Sequence, residues 1–143
     1  MFVSSQLRRS TAPTSQETRH LLVIEDDAAN REILVTAFEA EGFTVASAGR
    51  GRDALATATR THPSAVVLDL LLPDLDADTI VDRLRRSAGD FALVLVSAST
   101  DLPYAAGRLH ADAYFAKPYD LPDVVAAIER LVSGPVATNG TPA

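Results

Sequence analysis

The stretch SAVVLDL, residues 64–70, decides how the chain folds. It has no polar alternation, unlike a strand with one wet face. A short apolar run rich in β-branched residues reads as a strand covered on both faces, the pattern of a parallel sheet. The run then closes on a carboxylate, Asp69. A buried carboxylate without a partner is costly, so the rest of the chain should contain one.

Working outward, HLLVIE (20–25) and FALVLVSA (91–98) are runs of the same kind, and FTVASA (43–48) and DAYFA (112–116) read as two further strands. Amphipathic segments alternate with them. The first has Asp27 as N-cap, Ile33, Leu34, Ala37 and Phe38 on one face, and Gly42 as its stop. GRDALATATR turns Ala54, Leu55 and Ala58 inward, and LDADTIVDRLRRS turns Ile80, Val81 and Leu84 inward. DLPYAAGRLH is a short helix opened by Asp101 and Pro103. DLPDVVAAIERLV has Asp120 as N-cap and buries Val124, Val125, Ile128 and Leu131. Five strands alternating with five helices predict an α/β fold, a doubly wound parallel sheet with its ligand site beyond the carboxyl ends of the strands.

Composition narrows the chemistry. A length of 143 residues is that of one domain with a real core. The absence of cysteine excludes disulfides, thiolate catalysis and cysteine-held metals. The longest apolar run, FALVLV (91–96), falls far short of the roughly 20 residues of a membrane span. No signal peptide is evident, so a cytoplasmic location is expected. Net charge is −6, and the first twenty residues contribute +2. The acidic remainder predicts no nucleic-acid partner and no membrane contact. The expected organisation is a disordered leader (1–18), one domain (19–133) and a flexible tail (134–143).

The strand ends carry Glu25, Asp26 and Asp27, then Asp69, Ser97 and Lys117. Taken singly, Asp27 is as good a helix cap as a ligand, Glu25 and Asp26 could be ordinary loop acids, and Lys117 could be a solvated loop residue. A parallel sheet gathers all of them on one edge, and their conjunction carries the weight. Hard oxygen donors without His or Cys point to Mg²⁺. An acid cluster with Mg²⁺, an ammonium and a hydroxyl suits a phosphoryl group. Neither GxxxxGK[ST] nor GxGxxG is present, so nucleotide binding is not indicated. Asp69 is then the nucleophile that receives the phosphoryl group.

These residues resemble the receiver domain of two-component response regulators. VIEDD is similar to the acidic motif after the first strand, VVLDLLLPDLD to the phosphoacceptor motif, LVSA to the motif after the fourth strand and YFAKP to the final motif. The resemblance runs from about His20 to Val132. It implies a flavodoxin-like (βα)5 sheet of order 2-1-3-4-5 and phosphorylation of Asp69. It implies Mg²⁺ held by Asp26 and Asp69, by Glu25 mostly through water, and by the backbone carbonyl of Leu71. Asp69, Ser97 and Lys117 would be the catalytic set, Ser97 and Tyr114 a switch pair, and the bond before Pro118 cis. The implied partners are a sensor histidine kinase or phosphotransfer protein and a downstream protein. A homodimer through the fourth helix, fifth strand and fifth helix belongs to the same implication. The protein would be no enzyme beyond its own phosphorylation and dephosphorylation.

Four departures stand out. Ala77 and His110 replace glycines usual in the family, and the stretch from Ser97 to Lys117 is about two residues short, which should trim the fourth helix. Leu71 is apolar where some relatives are polar. With about ten residues after the fifth helix, a stand-alone receiver is expected. Two other readings compete. One is a phosphorylation-independent interaction module with the same fold. The other is an aspartate-nucleophile phosphohydrolase, which typically has an acid two residues after its nucleophile, where this chain has Leu71.

Overall fold

In a computed structural model, the described residues are 19–140, by backbone alone from 134 onward. The expected leader, 1–18, and the last three residues lie outside them. The strands are β1 (His20–Ile24), β2 (Thr44–Ala48), β3 (Ala65–Asp69), β4 (Ala92–Ser97) and β5 (Ala113–Ala116). The helices are α1 (Ala28–Ala40), α2 (Gly51–Thr61), α3 (Ala77–Ala88), α4 (Leu102–Arg108) and α5 (Leu121–Gly140). The strands form one parallel sheet in the order β2-β1-β3-β4-β5. Ile24 pairs with Ala48 and Leu68, and Leu68 with Leu95, so the carboxyl ends finish level along one edge.

Period-two alternation divides the apolar strand residues between two cores. Leu22, Ile24, Val66, Leu68, Leu93 and Leu95 pack under α2, α3 and α4. Leu21, Val23, Val67, Val94 and Val96 pack with Leu34 and Phe38 of α1 and with Val124 and Ile128 of α5. Both faces of β1, β3 and β4 are therefore dry, as their unbroken apolar runs require. Each fully buried aliphatic side chain contributes about 1.5–3 kcal/mol.

Carboxylates fix the starts of α1, α2 and α3. Asp27 accepts from the Asn30 N–H at 2.8 Å and Asp76 from the Thr79 N–H at 2.8 Å. Residue 50, at the head of α2, is an arginine and makes no side-chain cap. Asp74 supplies the cap from the β3–α3 loop, accepting from the Gly51 and Arg52 N–H groups at 2.7 and 3.0 Å. The close approach needs Gly51, where a Cβ would stand 2.9 Å from Ile80 Cδ1. Gly42 ends α1 with φ +96°.

One sequence expectation changes here. Ile33 is not on the buried stripe of α1 and is 53% exposed. The stripe is centred on Leu34 and Phe38, and a step of about 100° per residue carries Ile33 past its edge. α5 runs to Gly140, past residue 133. Ala77 leaves the Asp76 cap in place and starts α3 as a buried residue. Helix α4 is short, at seven residues.

Candidate functional site

The edge where β1, β3, β4 and β5 end holds the polar residues singled out above. Asp69 is the last residue of β3 and is 4% exposed. Its Oδ2 accepts from Lys117 Nζ at 2.8 Å and its Oδ1 from the Leu71 N–H at 2.9 Å. Glu25, directly after β1, is fully buried. Its Oε1 accepts from the same Lys117 Nζ at 2.9 Å and its Oε2 from the Asp27 N–H at 3.2 Å. Lys117, the only lysine in the chain, thus bridges two buried carboxylates from the end of β5. Its own N–H donates to the Ser97 carbonyl at 2.9 Å, which joins it to the end of β4.

Burial favours the uncharged form of each group, and the pair answers differently. Burial pushes the Glu25 carboxyl above the usual range, with Asp69 adding repulsion, against the lowering pull of Lys117 and the Asp27 N–H. At Lys117 burial alone would lower the pKa, but the hydrogen bonds to Asp69 and Glu25 win and raise it above the ordinary lysine value. The ammonium is therefore a fixed positive charge at every physiological pH.

Asp26 differs from its neighbours. It is exposed, and among the described residues nothing hydrogen-bonds or ion-pairs its carboxylate. Carboxylate oxygens of Glu25, Asp26 and Asp69 nevertheless lie within 4.8 Å of one another. Three hard oxygen donors so close, with no nitrogen or sulfur among them, fit a hard divalent cation such as Mg²⁺. Around the pocket run Leu70, Leu71, Leu72 and Pro73, with Leu71 57% exposed.

Ser97 is fully buried at the end of β4, and its Oγ accepts from the Ser99 N–H at 3.1 Å. Ala98 is exposed and, with Lys117 and Pro118, faces a cavity of about 530 Å³ that Ile33 and Leu121 also line. The Lys117–Pro118 peptide is cis. Tyr114 points outward, 47% exposed. The edge thus brings together Glu25, Asp26, Asp69, Ser97 and Lys117, while the Tyr114 side chain stays in solvent. Asp27 serves as helix cap, the plainer of the two readings open for it.

Sequence reasoning missed two groups that shape this edge. Asp74 ties the β3–α3 loop to α2. Arg31 donates from Nη1 to the Glu25 carbonyl at 2.7 Å. An arginine at an N-cap position, with nothing to accept an N–H, was the available clue to Asp74. Arg31 gave none, because its helical position reads as solvated.

Residues 21–129 match the response regulator receiver domain family. The chain belongs to that family. Among curated proteins, this receiver domain is 34% identical over 132 residues to the transcriptional regulatory protein PrrA of Mycobacterium leprae, covering 90% of this chain and 57% of the relative. It is 35% identical over 114 residues to the probable transcriptional regulator ycf27 of Porphyridium aerugineum, covering 78% of this chain and 47% of the relative. The chain thus spans about half the length of the curated relatives it matches. A putative response regulator from Chloroflexus aurantiacus superposes with TM-score 0.72 at 26% identity, covering 80% of this chain and 98% of that one. A CheY-like receiver domain from Methanospirillum hungatei shares the fold at TM-score 0.75 and 21% identity, covering 81% and 94%. Among the described residues no helix is long and apolar enough to cross a membrane.

Proposed function

We propose that this receiver domain takes a phosphoryl group onto Asp69 from the phosphohistidine of a sensor histidine kinase or phosphotransfer protein. The phosphorylated domain then controls a partner protein or passes the group onward. The observation that carries the reading is the Asp69 carboxylate, buried at the end of a central strand yet bonded to the Lys117 ammonium and crowded by two further acids. One Asp69 oxygen forms a bond to phosphorus as the phosphorus–nitrogen bond of the donor breaks. The bonding pair returns to the imidazole nitrogen, which is left protonated or takes a proton from water.

Lys117 stays charged and pairs with the phosphoryl oxygens as they arrive. Ser97 turns its hydroxyl toward the same oxygens, and Tyr114 moves inward behind it as the switch partner. Glu25, Asp26, Asp69 and the Leu71 carbonyl are the groups that would hold Mg²⁺. When bound, Mg²⁺ supplies positive charge against the phosphoryl oxygens.

In this reading the working unit is residues 19–133, cytoplasmic, acting on no substrate but itself and binding no nucleic acid. The α4–β5–α5 face is its surface for a partner or a second copy.

Intact mass after acetyl phosphate and Mg²⁺ tests the reading. Wild type gains one phosphoryl mass and Asp69→Asn, nearly isosteric, gains none while keeping its circular dichroism. Equal labelling of the two would place the chemistry elsewhere. A wild type that stays unlabelled by phosphodonor and by histidine kinases alike would instead favour a phosphorylation-independent interaction module.

A further inference from the structure

We infer that Arg31 is a positioning residue for the acidic pair Glu25–Asp26, holding the turn that aims Asp26 into the pocket. The inference rests on the reading of that pocket as a divalent-cation site. Arg31 sits in the first turn of α1, its own N–H bonded to the Asp27 carbonyl at 2.9 Å. Its guanidinium does not run out to solvent. It turns back over the end of β1, where Nη1 donates to the carbonyl of Glu25 at 2.7 Å and reaches that of Asp26 at 3.4 Å.

Those bonds matter because the two acids are held so differently. Glu25 is fixed at its carboxylate by Lys117 and the Asp27 N–H, and at its own N–H by the Ala48 carbonyl. The Asp26 carboxylate has no such hold among the described residues, so its direction follows the backbone of the turn. Arg31 holds the peptide carbonyls on both sides of the Asp26 Cα, the Glu25 one closely and the Asp26 one at the longer distance. A second strand of the sheet makes room for the grip. At Gly49, just past β2, a Cβ would stand 2.8 Å from Arg31 Nη1. A side chain at residue 49 would push the end of the flexible Arg31 side chain away from this position.

The sign of the effect separates positioning from mere charge. Removing a cation beside an anionic pocket should, by Coulomb's law, tighten binding of another cation. Loss of a positioning contact should weaken it, and groups that orient metal ligands typically matter by about 10–100-fold.

The test is a Mg²⁺ titration of the full chain followed by backbone amide NMR, with amide exchange measured on the metal-free protein. For Arg31→Met, Kd for Mg²⁺ should rise about tenfold or more. Arg31→Lys, which keeps the charge on a shorter side chain without the guanidinium fork, should fall between it and wild type. Gly49→Ala, which keeps the charge but displaces the guanidinium, should weaken binding as well. Exchange of the Asp27 amide should quicken in Arg31→Met while Val67 stays protected. Equal or tighter Mg²⁺ binding by Arg31→Met would overturn the proposal. A wild type that takes up no Mg²⁺ would fail the cation reading instead. The Asp27 amide then decides for Arg31: faster local exchange in Arg31→Met supports the positioning role, and unchanged exchange overturns it.

Discussion

Helices α3 and α4 lie side by side on one face of the sheet and are held in opposite ways. α3 inserts Ala77, Ile80, Val81, Leu84 and Ala88 into the core and is capped by its own Asp76. α4 buries Leu102, Ala105 and Ala106, and Asp101 at its start makes no cap bond. The Asp101 carboxylate is taken by the Ser99 hydroxyl instead. Polar contacts at the surface make up part of the difference. Arg108 of α4 grips Asp78 of α3 through two hydrogen bonds of 3.0 and 3.1 Å and lies 5.4 Å from the ring centre of Tyr104. Arg85 reaches across to the His110 carbonyl at 3.2 Å. One helix is cemented by apolar burial. Its neighbour, beside Ser97 and Tyr114, is fastened at its rim by bonds that water can replace. Low burial and solvated ties are what a segment needs in order to shift without unfolding the domain.

The largest expected effect comes from the core of the cemented helix. Leu84→Ala should cost about 2–5 kcal/mol in urea unfolding, as buried leucine truncations do. Tyr104→Ala, at a side chain 69% exposed, should stay within about 0.5 kcal/mol. Similar losses at the two positions would break the contrast.

A smaller effect appears in acid and belongs to the α2–α3 flank. Loss of surrounding water raises the Asp74 pKa, but the N–H groups of Arg52 and Gly51 outweigh that and hold it below the usual carboxylate range. The folded protein therefore binds fewer protons there than the unfolded chain. The Asp74 contribution is complete above an unfolded carboxyl pKa of about 4 and is lost as pH falls through the lower folded value. Asp74→Asn should accordingly lower the urea midpoint at pH 7 and converge on wild type at the acid end. A deficit independent of pH would show that the carboxylate charge does not matter.

The smallest effect has the opposite sign. His110, after α4, stands at φ +55°, a conformation that burdens any residue with a Cβ. His110→Gly should remove that strain but lose more chain entropy on folding. A net stabilisation below about 1 kcal/mol is expected, with an unchanged denaturant slope. A destabilised variant would mean that the imidazole contributes more than the backbone strain costs.

Much of this was legible in the residues. β1, β3 and β4 declare themselves because burial on both faces leaves unbroken apolar runs, and the acids and the serine fall at the ends of those runs, with the lysine at the end of β5. His110 was visible as a departure, and its positive φ explains why a glycine would suit the place. Ile33 was misjudged because helical periodicity gives the direction of a stripe but not its width. Asp74 and Arg31 were invisible for another reason. Both act on backbone groups brought near by folding, and local pattern has no record of such contacts.

The strand order has a kinetic consequence. β1 lies between β2 and β3, so its second edge stays open until β3, some twenty residues after its first partner ends, has been added. The strand that closes that edge also brings Asp69 up to Glu25. Lys117 follows 48 residues later in the chain. In any order of assembly that runs from the amino end, two carboxylates converge before the ammonium that reconciles them exists. A truncated chain ending at α3 would have the seed of both cores and an uncompensated repulsion at its rim. In such an order the last strand would supply the countercharge to Glu25 and Asp69 only at the end, as it completes the edge that holds them.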